Sequence, residues 1–128
     1  MSTRSNIEIT DGTDSFMFYR HSDGYPSGQE TLLKFMKLIQ DKKLRDDVQQ
    51  CAGWLIVFGH EEYGSVSPEK DWKVGAYEPS IDKHGDINYF YKCDILKMTI
   101  EVYNPDELIG TITKFDNVDV LKNIEKDN

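Results

Sequence analysis

A chain of 128 residues is long enough for one domain with a real core and too short to divide into two. Its 23 acidic residues outnumber 15 basic ones, and the resulting net charge of −8 repels phosphate backbones and sets general DNA or RNA binding aside. The 12% aromatic content argues against disorder, and no run approaches the roughly 18 apolar residues of a membrane span.

Residues 4–10 alternate, with Ile7 and Ile9 on one face and Asn6, Glu8 and Thr10 on the other, the pattern of a half-buried strand. Asp11-Gly12-Thr13-Asp14 is a turn, and residues 15–21 form the return strand of an antiparallel hairpin. Phe16, Phe18 and Arg20 share one face of that strand, and Met17, Tyr19 and His21 share the other. Large side chains on both faces predict a strand that is central or covered on both sides.

Ser22 to Pro26 is turn chemistry, and Ser27-Gly28-Gln29-Glu30 fits a capping box ahead of a helix over residues 28–44. Leu32, Phe35, Met36 and Ile39 recur there at helical spacing. A second helix is predicted from Asp46-Asp47 through Phe58, apolar nearly all round from Cys51 and therefore expected to lie buried between layers. A buried strand at residues 54–58 is the rival reading, which periodicity alone leaves open. A loop at 65–69 precedes a predicted strand at 72–77 and a polar connection at 78–85. Residues 86–92 read as a strong strand, 97–103 as its partner and 109–115 as a weaker one. The last dozen residues are charged and read as a short helix or a tail frayed from about residue 117.

The expected fold is α+β, a single domain over residues 1–128. It has an antiparallel sheet with an N-terminal hairpin, two central helices and a C-terminal strand meander. Cys51 and Cys93 sit in no CxxC pair and read as reduced core thiols. With no apolar leader at the start, a cytoplasmic location is expected.

Chemistry concentrates at the turn after the second strand. Asp23 could orient the His21 imidazole as a base or ligand, or bond amides of its own turn while His21 packs or caps. Arg20, one of three arginines, lies beside a predicted helix N-terminus, where it suits a phosphate or carboxylate; a salt bridge is the alternative. His84-Gly85-Asp86 repeats this make-up ahead of the Tyr-Phe-Tyr strand. These two sites and His60-Glu61-Glu62 match no metal-ligand spacing, and there is no Walker loop, GxGxxG, GxSxG or reactive-Cys context. No catalytic residue, metal or cofactor is expected. Trp72, Tyr77, Tyr89 and Tyr91 could form a stacking wall, pack on the sheet, or line a dimer interface.

Thr3-Arg4-Ser5-Asn6-Ile7, together with Tyr19-Arg20-His21-Ser22-Asp23-Gly24-Tyr25-Pro26, resembles a group of small phage and prophage proteins. Members begin with a TRS-x-I strand and carry a Y-x-H-x-D-G-Y-P turn. The resemblance covers about the first 30 residues and, beyond them, only length and general order. Ser22 stands where an aromatic residue is common, so no stacking role transfers to that position. Most members are uncharacterised, and the resemblance implies an accessory protein in the host cytoplasm, of the kind often used in counter-defence. By analogy with anti-defence sponges, the leading expectation is a non-enzymatic homo-oligomer that sequesters a small nucleotide-like signal. Its expected ligand-binding residues are Arg4, Arg20, His21, Asp23, Tyr25, Tyr77 and His84. Alternatives are an acidic inhibitor that covers a basic face of a host defence protein, and a small hydrolase built on His21 and Asp23.

Overall fold

A computed structural model of the chain describes residues 2–64 and 74–128. The fold is α+β: six strands form one sheet in the order β3-β2-β1-β4-β5-β6. The predicted hairpin is β1 (Ser5–Thr10) and β2 (Ser15–Arg20), antiparallel with Ser5 opposite Arg20 and Thr10 opposite Ser15. Its turn is fastened by the Asp11 carboxylate, which accepts from the amides of Thr13 and Asp14, and Gly12 takes the left-handed φ of 91°.

A single 3-10 turn, Pro26–Gly28, leads into α1 (Glu30–Gln40). The capping box does not form, because Ser27 lies inside the 3-10 turn and the N-cap falls on Gln29, whose side chain is drawn back into the preceding turn and leaves the helix without a side-chain cap. The helix also ends earlier than its periodicity predicts. Lys42 adopts the left-handed conformation, φ 59°, and the amides of Lys43 and Leu44 turn back to the Leu38 carbonyl. α2 (Val48–Glu62) is helical throughout, which resolves residues 54–58, and the Asp47 carboxylate caps it by accepting from the Gln49 amide. One expectation for α2 fails: Cys51, Ala52 and Leu55 are buried, but Trp54 and Val57 face outward.

Of the strand predicted at 72–77, Trp72 and Lys73 fall outside the described residues, as does the loop predicted at 65–69. Residues 74–77 are not a strand; Ala76 and Tyr77 tuck against α2, where the Ala76 amide donates to the Gly59 carbonyl. Gly59 has no side chain to obstruct this approach: a Cβ there would lie 2.8 Å from the Tyr77 nitrogen. The strand comes later, as β3 (Glu78–Ser80), inside what reads as a polar connection. It pairs antiparallel with β2 at the sheet edge, where Pro79 is tolerated.

β4 (Tyr89–Asp94), β5 (Thr99–Tyr103) and β6 (Leu108–Ile112) are the predicted meander, each pair antiparallel. The sheet is nevertheless mixed, because β1 and β4 run parallel, Ser5 opposite Tyr89 and Thr10 opposite Asp94. Residues 81–88 cause this. They leave β3 opposite Met17 and return along the sheet face that carries Asn6, Tyr19 and Phe90, delivering the chain to the start of β1 again. The His84 amide donates to Asn6 Oδ1 at 2.7 Å, and Lys83 Nζ sits 4.6 Å over the Phe90 ring. The C-terminal segment forms α3 (Asp119–Asp127), with Leu121 buried.

The opposite face of the sheet carries Ile7, Ile9, Phe18, Tyr91, Cys93, Ile100 and Val102 and is covered by the helices. Leu32, Leu33, Phe35, Met36 and Ile39 of α1 and Leu55 of α2 complete that core. Both cysteines are buried free thiols. Among the described residues, no helix is long and apolar enough to cross a membrane.

Candidate functional site

The turn after β2 is built from the inside. Asp23 takes φ 58°, which an Asx side chain tolerates, and Gly24 follows it hard against β1. The Gly24 amide donates to the Thr3 carbonyl at 2.9 Å, and a Cβ on Gly24 would lie 2.8 Å from that oxygen. Buried Tyr91 donates its hydroxyl to the Gly24 carbonyl at 2.7 Å. Gln29, also buried, donates Nε2 to the Asp23 and Tyr25 carbonyls and accepts the Tyr77 hydroxyl at 2.8 Å. Burial pushes the phenols of Tyr77 and Tyr91 well above their ordinary pKa, so both stay neutral donors.

Arg20 is 1% exposed and lies at the base of this turn. Its Nε donates to the Ser22 carbonyl at 2.7 Å, and its two terminal nitrogens grip both oxygens of Glu62 at the end of α2. Its guanidinium also lies over the rings of Tyr77, at 5.0 Å, and Tyr63. Burial works against the charge, but the Glu62 carboxylate outweighs it and raises the guanidinium pKa. Thr31 donates to Glu62 Oε1 at 2.6 Å. Above this pair lies an open groove of about 280 Å³, walled by Asp23, Tyr25, Ser27, Glu30, Thr31 and Glu62. A second hollow of about 310 Å³ shares Thr31 and Glu62 and adds Lys34, Phe58 and Glu61.

The other candidates lie on the far side of the sheet. Arg20 faces the helices because it pairs with Ser5; the residues flanking that pair point the other way. There Tyr19 stacks on His84, centroids 3.9 Å apart and planes 10° from parallel, and its hydroxyl lies 3.0 Å from His21 Nδ1. Arg4 pairs with Asp86 at 3.1 Å and lies close enough to Tyr19 to act on its hydroxyl, while its Nε is buried and meets no hydrogen-bond geometry among the described residues. The seven residues singled out from the sequence therefore form two groups. Arg20, Asp23, Tyr25 and Tyr77 meet on the helix side; Arg4, His21 and His84 meet on the other. His21 and Asp23 do not form a dyad, since Asp23 Oδ1 accepts from the Tyr25 hydroxyl and His21 turns to Tyr19.

The aromatic wall also dissolves. Tyr77 and Tyr91 point their hydroxyls into the core, Tyr89 stacks beside Tyr91, and Trp72 lies outside the described residues. Two residues central to the site were not assigned to it by sequence reasoning. Gln29 was legible only as a helix-start residue. Glu62 carried one signal: together with Glu61 it places acids at a helix C-terminus, where the dipole disfavours them unless a cation waits nearby.

Among the described residues, no group of three or more His, Cys, Asp or Glu could hold a metal ion. No family model, curated protein or solved structure matches the chain.

Proposed function

We propose that the chain is a non-enzymatic accessory protein of the phage type that acts by binding a basic face of a host protein through its acidic groove. One observation carries this reading. The single arginine at the groove is occupied by Glu62, Ser22 and Tyr77 and neutralises Glu62 in turn, so the open walls offer the carboxylates of Asp23 and Glu30. An ammonium or guanidinium group is attracted there and a phosphate is repelled, in keeping with the net charge of −8. The hydroxyls of Tyr25, Ser27 and Thr31 supply neutral partners around it.

The nucleotide-sequestering reading keeps one supporting observation, the buried Nε of Arg4, without a hydrogen-bond partner among the described residues, beside the Tyr19–His84 stack. Arg4 and Arg20, both expected to bind that ligand, lie on opposite faces of the sheet.

Titration calorimetry with an oligoarginine peptide and with nucleotides separates the two. The proposal expects peptide binding that weakens in Asp23→Asn/Glu30→Gln and is lost at about 0.5 M salt, where screening is short-ranged. Nucleotide binding that disappears in Arg4→Ala, with no peptide binding, overturns it.

A further inference from the structure

α2 is apolar nearly all round, and a helix of that kind belongs in an interior. One of its faces has no cover among the described residues. Trp54 is 43% exposed and Val57 42%, and with Gln49, Gln50 and Gly53 they line a hollow of about 350 Å³. Gly53 joins this hollow to a larger one of about 480 Å³, walled by Ile56 and by Phe16 and Ile81 across the β2–β3 edge. Phe16 is 41% exposed and Ile81 97%. The two hollows are lined without a single charged side chain, in a chain whose residues are 30% charged.

We propose that this face pairs with the same face of a second copy, α2 against α2 in antiparallel two-fold contact. A two-fold interface needs one patch that is complementary to itself, so that residue i of one copy meets j of the other and j meets i. The α2 face meets that requirement. Trp54 is a knob held in place by stacking on Phe58, with centroids 5.8 Å apart. Gly53 beside it is the hole: a Cβ there would meet nothing within 4 Å. An antiparallel crossing centred between them sets each Trp54 over the partner's Gly53, and Gln50 against Val57.

Area supports the same partner. With aromatic side chains of roughly 150–250 Å² and aliphatic ones somewhat smaller, the four exposed apolar residues leave about 400 Å² uncovered. That is about half of the roughly 800 Å² each partner contributes to a standard interface, and Gln49, Gln50, Gly53 and Ile56 extend it. Charge supports it too. Two copies at −8 each repel over most of their surface, but the two hollows present no carboxylate, so acids meet only at the ends of the paired helices.

The arrangement sets Asp46 at one end of α2 opposite the partner's Glu61 at the other. Pairing therefore strengthens as salt screens that repulsion, the reverse of what the acidic groove does with a cationic target. The two readings fail independently.

Analytical ultracentrifugation of the full chain tests the proposal. Wild type should sediment as a dimer that tightens with salt. Trp54→Ala should weaken association more than about thirtyfold, the effect of truncating a central aromatic anchor. Gly53→Gln is the sharper variant: the monomer has room for the side chain and gains helix propensity, while the dimer loses its hole. It should be monomeric with an unchanged or higher Tm. A monomeric wild type at every soluble concentration, whatever else then binds this face, overturns the proposal. So does a Gly53→Gln protein that still dimerises.

Discussion

Removing Glu62 should cost more than removing the arginine it holds. Glu62→Ala strands the Arg20 guanidinium, 1% exposed, on the core side of the sheet. Breaking a fully buried pair by deleting one partner costs about 3–5 kcal/mol. Here the carboxylate side is 23% exposed, and Arg20 keeps the Ser22 carbonyl and the Tyr77 ring, which brings the expectation down to about 2–3 kcal/mol. For 128 residues the unfolding entropy is roughly 0.27 kcal/mol/K, so Tm should fall by about 7–11 °C. Arg20→Met leaves no buried charge, fills similar volume and frees Glu62 to turn to water. It should cost about 1 kcal/mol, or about 4 °C. The double variant should then be more stable than Glu62→Ala alone, since the second change removes the stranded charge. Thermal and urea unfolding of the wild type and the three variants gives the full cycle. If Arg20→Met is the more damaging single change, or the double variant is less stable than Glu62→Ala, the account of a buried, carboxylate-dependent arginine is wrong.

Other outcomes follow from the same geometry. Tyr77→Phe should cost about 1–2 kcal/mol by urea denaturation, because Gln29 Oε1 loses its donor inside the core. Gly24→Ala should cost about 1–3 kcal/mol, its methyl meeting backbone atoms of Thr3, Arg4 and Ser5 that cannot move aside. Stability should also fall at alkaline pH. Burial pushes the Cys51 thiol up to about 11 from an ordinary 9.0. The unfolded chain therefore releases that proton first, and stability complete below about pH 9 is lost as pH rises towards 11. Urea midpoints across that range should decline, less steeply in Cys51→Ala; a midpoint independent of pH would refute the buried-thiol assignment.

Much of the fold was readable because it is written in short-range patterns. Ile7 and Ile9 alternate with polar residues, Asp11 and Gly12 close a turn, and Asp47 sits where a helix needs an acceptor. Each signal spans a few residues, and the backbone obeys it locally. Failures came where a distant residue won. Ser27 and Glu30 make a plausible capping box, but the 3-10 turn takes in Ser27 and moves the helix start to Gln29, which is anchored to the turn and to Tyr77. Glu78–Ser80 has poor strand chemistry, and β2 still recruits it because an open edge needs hydrogen bonds.

The stretch from Tyr19 to Gly28 shows the division most clearly. Local sequence determines that the chain turns sharply there, that Asp23 and Gly24 accept the tight backbone, and that Arg20, His21 and Tyr25 lie close along the chain. Only the tertiary structure decides what those side chains do. Alternation about the Ser5–Arg20 pair sends Arg20 towards the helices and His21 away from them. Glu62, 42 residues later, then becomes the partner of Arg20, and the crossing at 81–88 brings His84 onto Tyr19. The same crossing sets β4 parallel to β1. Side-chain direction along a strand is a two-residue property; the partner it meets depends on how the whole sheet closes.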